Sequence, residues 1–289
     1  MKKIVILGCE NSHANAFLGF IQKDARYADV EVLGVYSDDR AAAEKLQNTF
    51  GVPVMNHYAD AVGAVDGVII TARHGDNHYK YAEPYIESGV PLFIDKPITV
   101  NEEEAVSFMQ RLAQKGTRIS GGSSLKQDTY VAAMKKEAAD EIGGKTLGGF
   151  VRAPYSADNA YGGFYFYAQH LVEMVGEIFG RFPLTVTAKQ NGAQLHVLFH
   201  YEAYDCVGLF CDKNYVYHIS RMSEQGVTAY TVPTTNEWFA REFAEFYDIL
   251  SGAPSSIDYR SFIAPVFVMN AIMRSLASGK EEALNPITL

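Results

Sequence analysis

Two side chains in this sequence stand where proton chemistry near neutral pH is within reach, Lys96 and His170. Lys96 follows the apolar run Leu92-Phe93-Ile94 and Asp95, and precedes Pro97. A lysine at the carboxyl end of a buried parallel strand faces the crevice in which such sheets bind ligands, and partial desolvation there lowers its pKa toward general-base use. His170 titrates near neutrality and can act as acid or base. Glu173 lies one helical turn further along the same face, placed to orient or charge it. Lys126 and Arg152 are cations able to hold an anionic substrate group, or equally to form surface or interdomain salt bridges.

A second chemical feature is the loop Gly8-Cys9-Glu10-Asn11-Ser12-His13-Ala14. It leads from a short apolar strand into a helix, so backbone N–H groups at the helix N-terminus and the macrodipole favour a pyrophosphate. Against the dinucleotide fingerprint GxGxxG/A, Gly8 holds the first position, but Glu10 stands at the second and His13 at the third. A carboxylate at the second position crowds and repels phosphates. Gly8, Glu10, Asn11, Ser12 and His13 are therefore either cofactor contacts or the remnant of a nucleotide loop that has lost its ligand. At the end of the next strand, Ser37 and Arg40 suit a ribose 2′-phosphate, which favours NADP, while Asp38 suits the free hydroxyl of NAD. The same residues can also simply turn the chain and cap the next helix.

Periodicity supplies the elements that position these residues. Ile4–Leu7, Val30–Tyr36, Val65–Thr71 and Pro91–Ile94 read as buried strands; they alternate with helices from the loop to Lys23, over Arg40–Phe50 and His78–Ser88, and from an Asn101 cap to Gln114. Short strands alternating with helices predict a parallel sheet covered on both faces. After about Gly121 the pattern changes. A helix over Thr129–Glu141 ends at Gly143-Gly144, and β-rich segments at Leu184–Gln190, Gln194–Tyr201, Val207–Cys211 and Tyr215–Ser220 are punctuated by Asn191-Gly192 and Asp212-Lys213-Asn214, predicting a meander. Helices near Tyr167–Phe179, Glu237–Ser251 and Ser261–Ser278 complete the chain.

The 289 residues are nearly half apolar, enough for two domains. A net charge of −9 argues against nucleic acid as a partner. No signal-peptide pattern or membrane-length apolar run is expected, so the reading is cytoplasmic. Cys9, Cys206 and Cys211 lack metal or disulfide spacing, and the histidines, including His74 and His78 four apart, form no metal motif.

The stretch VDGVIITARHGDNHYKYAEPYIESGVPLFIDKPITVNEEEA, with the GGSSLK segment at Gly121–Lys126, a central His-containing helix and a closing helix carrying Ile272, Ser275 and Gly279, resembles the Gfo/Idh/MocA oxidoreductase family. The family's Glu-Lys-Pro stands here as Asp95-Lys96-Pro97. The resemblance spans nearly the whole chain. It implies an α/β plus α+β protein, with an N-terminal Rossmann doubly wound parallel sheet over residues 1–120 and a C-terminal, mainly antiparallel open-sheet domain over 121–289 whose last helices are free to pack back on the first domain. It also implies cofactor contacts at Thr71, Ala72, His78, Asp95, Lys96 and Pro97, with Lys96 beside the nicotinamide and substrate. The family's Asp-x-Gly-x-His run, which reaches the substrate from the second domain, appears as Phe166-Tyr167-Ala168-Gln169-His170, so the acid is absent. Tyr155, Tyr161, Tyr165 and Tyr167 are rings and phenols of the kind that line sugar pockets, and Tyr167 is a candidate replacement for that acid. The function implied is a NAD(P)-dependent dehydrogenase or reductase acting on a hydroxyl or ketone of a sugar, cyclitol or polyol, as a homodimer or homotetramer. The alternatives are cofactor-assisted elimination or glycoside cleavage, and a non-catalytic sugar- or nucleotide-binding protein.

Overall fold

A computed structural model of the chain describes residues 1–289. The N-terminal sheet contains β1 (Lys2–Leu7), β2 (Val30–Tyr36), β3 (Gly67–Ile70), β4 (Leu92–Asp95) and β5 (Ile119–Gly122), in the order β2-β1-β3-β4-β5 with every pair parallel. Beyond β2, Val54 makes a single parallel bridge to Val35. Val54 thus stands in the place of a third strand, and the arrangement corresponds to the doubly wound order 3-2-1-4-5-6, with its topological switch beside β1. Helices α1 (Ser12–Lys23), α2 (Arg40–Phe50), α3 (Asp76–Ile86) and α4 (Glu102–Gln114) follow the first four strands. The caps explain their starts: Asn11, Asp39 and Asn101 each accept a bond from the first turn, and Glu102, Glu103 and Glu104 complement the dipole of α4. Helix α3 starts two residues earlier than the sequence pattern suggested.

The second sheet has seven strands in the order β11-β10-β6-β9-β8-β7-β12. It comprises β6 (Thr146–Tyr155), β7 (Thr185–Asn191), β8 (Gln194–His200), β9 (Asp205–Asp212), β10 (Tyr217–Ser223), β11 (Gly226–Val232) and the two-residue β12 (Glu282–Ala283). Only β7, β8 and β9 form the expected meander. Strand β6 inserts between β9 and β10 and runs parallel to β9, a pairing that local periodicity does not encode. Strand β11, Gly226–Val232, alternates too weakly to stand out in the sequence because most of its residues stay exposed. Helices α5 (Thr129–Ala139) and α6 (Tyr165–Phe179) pack with the inner face of this sheet.

The last two helices, α7 (Glu237–Leu250) and α8 (Tyr259–Ser278), return to the first sheet. Phe243, Phe246 and Ile249 of α7 pack with Phe17 and Phe93 on one side of it, and Phe262, Ile263, Val266 and Phe267 of α8 pack with Ile70, Ile94 and Phe108 on the other. Val268, Met269, Ala271 and Ile272 of α8 enter the core of the second domain. Helix α8 is long and apolar enough to meet the composition of a membrane span, contrary to the expectation of no such run. Its apolarity is accounted for by burial in two cores at once. Strand β5 crosses the boundary drawn at residue 120.

Candidate active site

The carboxyl ends of the parallel strands converge on one crevice. Gly8 adopts φ +73°, and a Cβ there would stand 2.5 Å from the Ala72 backbone, so both conformation and space call for glycine. The Thr71 hydroxyl donates to the Gly8 carbonyl at 3.1 Å, and the Gly8 and Cys9 amides donate to the Tyr36 carbonyl. Gly8, Thr71 and Ala72 therefore form a tight floor under the nucleotide loop. His78 is wholly buried, its ring nitrogens 2.9 Å from the Ala72 carbonyl and 3.2 Å from that of Ile98. Burial lowers its pKa, so the neutral ring has one N–H to donate and is packed between the two loops beneath the crevice. The Cys9 thiol, buried and close to Glu10, is pushed up to about 12, which makes it a poor nucleophile.

At the carboxyl end of the parallel strands the structure has a cavity of about 230 Å³, in which Lys96, Phe166, Tyr167 and His170 meet Arg73 and Trp238. Lys96 follows β4, and the bond between it and Pro97 is cis. Its Nζ donates to the Phe166 carbonyl at 3.1 Å and lies 4.2 Å from the Phe166 ring centroid. Phe166, at the position of the absent acid, thus offers the ammonium an aromatic face in place of a carboxylate. Burial pulls the Lys96 pKa below the usual lysine range; Asp95 opposes this, and Arg73 adds to it. Gln169 accepts a bond from the Ile98 amide at 3.1 Å, tying α6 to the loop that carries Lys96.

His170 is held by Ser123. The Ser123 Oγ lies 2.6 Å from His170 Nδ1 and accepts the Leu125 amide at 3.3 Å. Ser123 is fully buried, and the ring nitrogen is the acceptor within reach of its hydroxyl hydrogen. This network assigns the His170 proton to Nε2. Burial, with Lys96 and His13 nearby, holds the His170 pKa well below its ordinary value. Glu173 does not orient His170, contrary to the sequence reading. Its carboxylate takes the Ser123 amide at 3.4 Å, Gln169 at 3.0 Å and Arg181 at 3.2 Å, so its influence passes through the backbone of Ser123. Tyr167 lies tilted against His170 and edge-on to Tyr215, and burial raises its phenol pKa, so it is a neutral donor and wall.

Behind Lys96 lies a buried chain of charges. Asp95 accepts Asn11 Nδ2 at 2.7 Å and stands 3.1 Å from His13 Nδ1, while His13 Nε2 stands 3.1 Å from Glu242 of α7. Burial opposes a charged His13, yet Asp95 and Glu242 outweigh it and its pKa is raised. Burial also raises that of Glu242, whose Oε1 has no hydrogen-bond partner.

A second cavity, about 550 Å³, opens at the end of β2 and is lined by Glu10, Ser37, Asp38, Asp39 and Arg73. Arg73 lines both cavities, and its guanidinium donates to the Tyr161 hydroxyl at 3.0 Å. Arg40 is turned away from this cavity: it bonds Glu44 at 3.2 Å and the Met55 carbonyl at 3.1 Å. The 2′-phosphate contact expected of Arg40 therefore has no support in the geometry, because the first turn of α2 carries the side chain outward.

Three proposed substrate contacts also lie elsewhere. Lys126 reaches the Gly121 carbonyl and faces a separate polar cleft with Lys135 and Arg181. Arg152 bonds the Val216 carbonyl at 2.6 Å, its neighbours Val151 and Ala153 occupying the inner face of the sheet. The Tyr155 ring packs against Phe164 and Phe210. Alternation along β6 could have separated Arg152 from the site. Arg73, Ser123, Trp238 and Glu242 were not singled out in the sequence, although Arg73 and Ser123 lie within the segments that carry the resemblance.

Residues 2–123 match the model of the oxidoreductase family with an NAD-binding Rossmann fold, Gfo/Idh/MocA. The whole chain shares its fold with a myo-inositol dehydrogenase from Corynebacterium glutamicum (TM-score 0.84, 16% identity, 99% of each chain covered). It is also similar to a scyllo-inositol dehydrogenase from Lactobacillus casei solved with NAD(H) and scyllo-inositol (TM-score 0.83, 15% identity, 98% of this chain and 99% of that one). A third similar structure is the WlbA dehydrogenase from Chromobacterium violaceum with NADH and UDP-GlcNAcA (TM-score 0.80, 14% identity, 100% of this chain and 97% of that one). No curated protein sequence matches.

Proposed function

We propose that the protein is a NAD-dependent dehydrogenase that oxidises a ring hydroxyl of a cyclitol or single sugar, or reduces the corresponding ketone. The observation that carries this reading is the convergence of Lys96 from the first domain and His170 from the second on one cavity at the carboxyl end of the parallel sheet. The residues present suit a dinucleotide: two cavities meet at Arg73, the N-terminus of α1 opens beside the first, and Gly8 allows the loop to pass close over Ala72. Preference for NAD rather than NADP follows from the acidic lining at β2 and the outward course of Arg40.

When bound, the nicotinamide supplies the hydride acceptor or donor. Lys96, its pKa lowered by burial, takes the proton of the substrate hydroxyl at Nζ during oxidation. His170 donates a hydrogen bond from Nε2 to the same oxygen and keeps its own proton. Phe166, Tyr167 and Trp238 offer faces to the C–H side of a sugar ring. Phe150, Val207, Leu209 and Met222 sit on the face of the second sheet away from α6 and suit association between copies of the chain.

The test is a screen of cyclitols and monosaccharides for NADH production, with binding followed through Trp238, the single tryptophan, which lines the cavity. Lys96→Met is expected to lower kcat/KM by about 10²–10⁴-fold while leaving NADH affinity within a few-fold, and the wild-type rate of oxidation should rise with pH through an apparent pKa below 10.5. Binding of neither NADH nor NADPH by folded protein would transfer the reading to a non-catalytic binding protein.

A further inference from the structure

Glu10 occupies the position of the fingerprint's second glycine, where a carboxylate should crowd the phosphates. The structure sends its side chain sideways, to the end of β2. One oxygen, Oε2, accepts the Ser37 hydroxyl at 2.7 Å, and the other, Oε1, accepts the Arg73 amide at 3.0 Å. These two bonds come from the ends of different strands and hold both carboxylate oxygens at the wall of the 550 Å³ cavity. Each oxygen keeps further acceptor capacity.

In dinucleotide folds the adenine-ribose hydroxyls are read by an acidic residue at the end of the second strand. The acidic residue closest to that place by sequence is Asp38, but its carboxylate takes the Tyr36 hydroxyl at 2.8 Å and Lys80 Nζ at 3.2 Å. Ser37 cannot supply the charge, and its oxygen is already engaged, donating to Glu10 and accepting the Asp39 amide at 3.0 Å. The charge of Asp38 is paired with the Lys80 ammonium, whereas Glu10, on the same cavity wall, is held only by neutral donors and keeps its charge unpaired.

We propose that Glu10 is the ribose-reading carboxylate of this protein, supplied by the phosphate loop and braced by Ser37, and that it sets NAD over NADP. The inference rests on the dinucleotide reading above. A free 2′-hydroxyl donates to Glu10; a 2′-phosphate at the same place meets Glu10, with Asp38, Asp39 and Asp76 on the same walls and Arg73 as the cation among them. Arg73 lies where the two cavities meet, its guanidinium engaged with the Tyr161 hydroxyl, and Arg40 faces away.

Calorimetric titration of the full chain with NADH and with NADPH tests this, using wild type, Glu10→Gln, Glu10→Gly and Ser37→Ala. Wild type is expected to favour NADH by about 100-fold or more, the loss expected when a charge-assisted bond is exchanged for a like-charge contact. Glu10→Gln should weaken NADH about tenfold and bring the two ligands within about tenfold of each other. Ser37→Ala should move both in the same direction by less. Tighter NADH binding by Glu10→Gly would overturn the proposal, since Glu10 would then be an obstruction. Equal binding of both ligands by wild type would overturn it and leave the dehydrogenase reading standing, whereas binding of neither would remove both.

Discussion

At the residue scale, Ser123 decides which nitrogen of His170 carries its proton and faces the cavity. Its buried hydroxyl lies 2.6 Å from Nδ1, so the neutral ring presents N–H at Nε2; in the proposed reaction it is a hydrogen-bond donor and Lys96 is the base. Ser123→Ala removes that selection. Loss of about 1–1.5 kcal/mol of bonding corresponds to roughly a tenfold fall in kcat. The double variant with His170→Gln should fall little further than His170→Gln alone, because the two side chains act as one unit. Steady-state kinetics on the four proteins checks this, and additive losses would separate Ser123 from His170.

At the element scale, His13 ties α1 to β4 through Asp95 and to α7 through Glu242. Its position is that of the third fingerprint glycine, where close helix–strand packing is usual; here the Phe239 ring covers the imidazole, their centroids 4.4 Å apart. The histidine is better protonated folded than unfolded, so its contribution is fully present below its ordinary pKa of 6.5 and is lost as pH rises through the higher folded value. Glu242, also raised, acts in the same direction, since the folded chain again binds more protons. Unfolding free energy from urea titrations should therefore decline as pH rises above about 6.5. His13→Ala leaves two buried carboxylates facing each other and should cost about 3–5 kcal/mol near neutral pH. An unchanged midpoint would show that the cluster holds no charge.

At the scale of the whole molecule, the chain does not divide cleanly near residue 120. Phe246 of α7 and Phe267 of α8 lie in the cores on opposite sides of the first sheet, and Met269 and Ile272 of α8 lie in the core of the second domain. A fragment of residues 1–120 would expose the rings of Phe17, Phe93 and Phe108 and split β5, which ends at Gly122. It is expected to lack a cooperative thermal transition, while the full chain melts in one. Calorimetry of both proteins checks this; two transitions in the full chain would mean that α8 does not couple the cores.

Local sequence determined the alternating strands and helices of the first half, since buried parallel strands demand unbroken apolar runs and helix caps have strong side-chain requirements. It also placed Lys96 at a strand end and His170 on a helix, and carried the family resemblance. Tertiary structure alone decided that β6 slips between β9 and β10, that Lys126, Arg152 and Tyr155 stay out of the cavity, and that Ser123, not Glu173, holds His170. These outcomes depend on contacts between residues 47 to 70 positions apart, such as Ser123 with His170 and Lys96 with Phe166, and on pairing between strands whose order no local period records. The destination of the Glu10 side chain belongs to the same class: its residue type was legible in the loop, but Ser37 and the Arg73 amide, 27 and 63 positions away, determine where the charge acts.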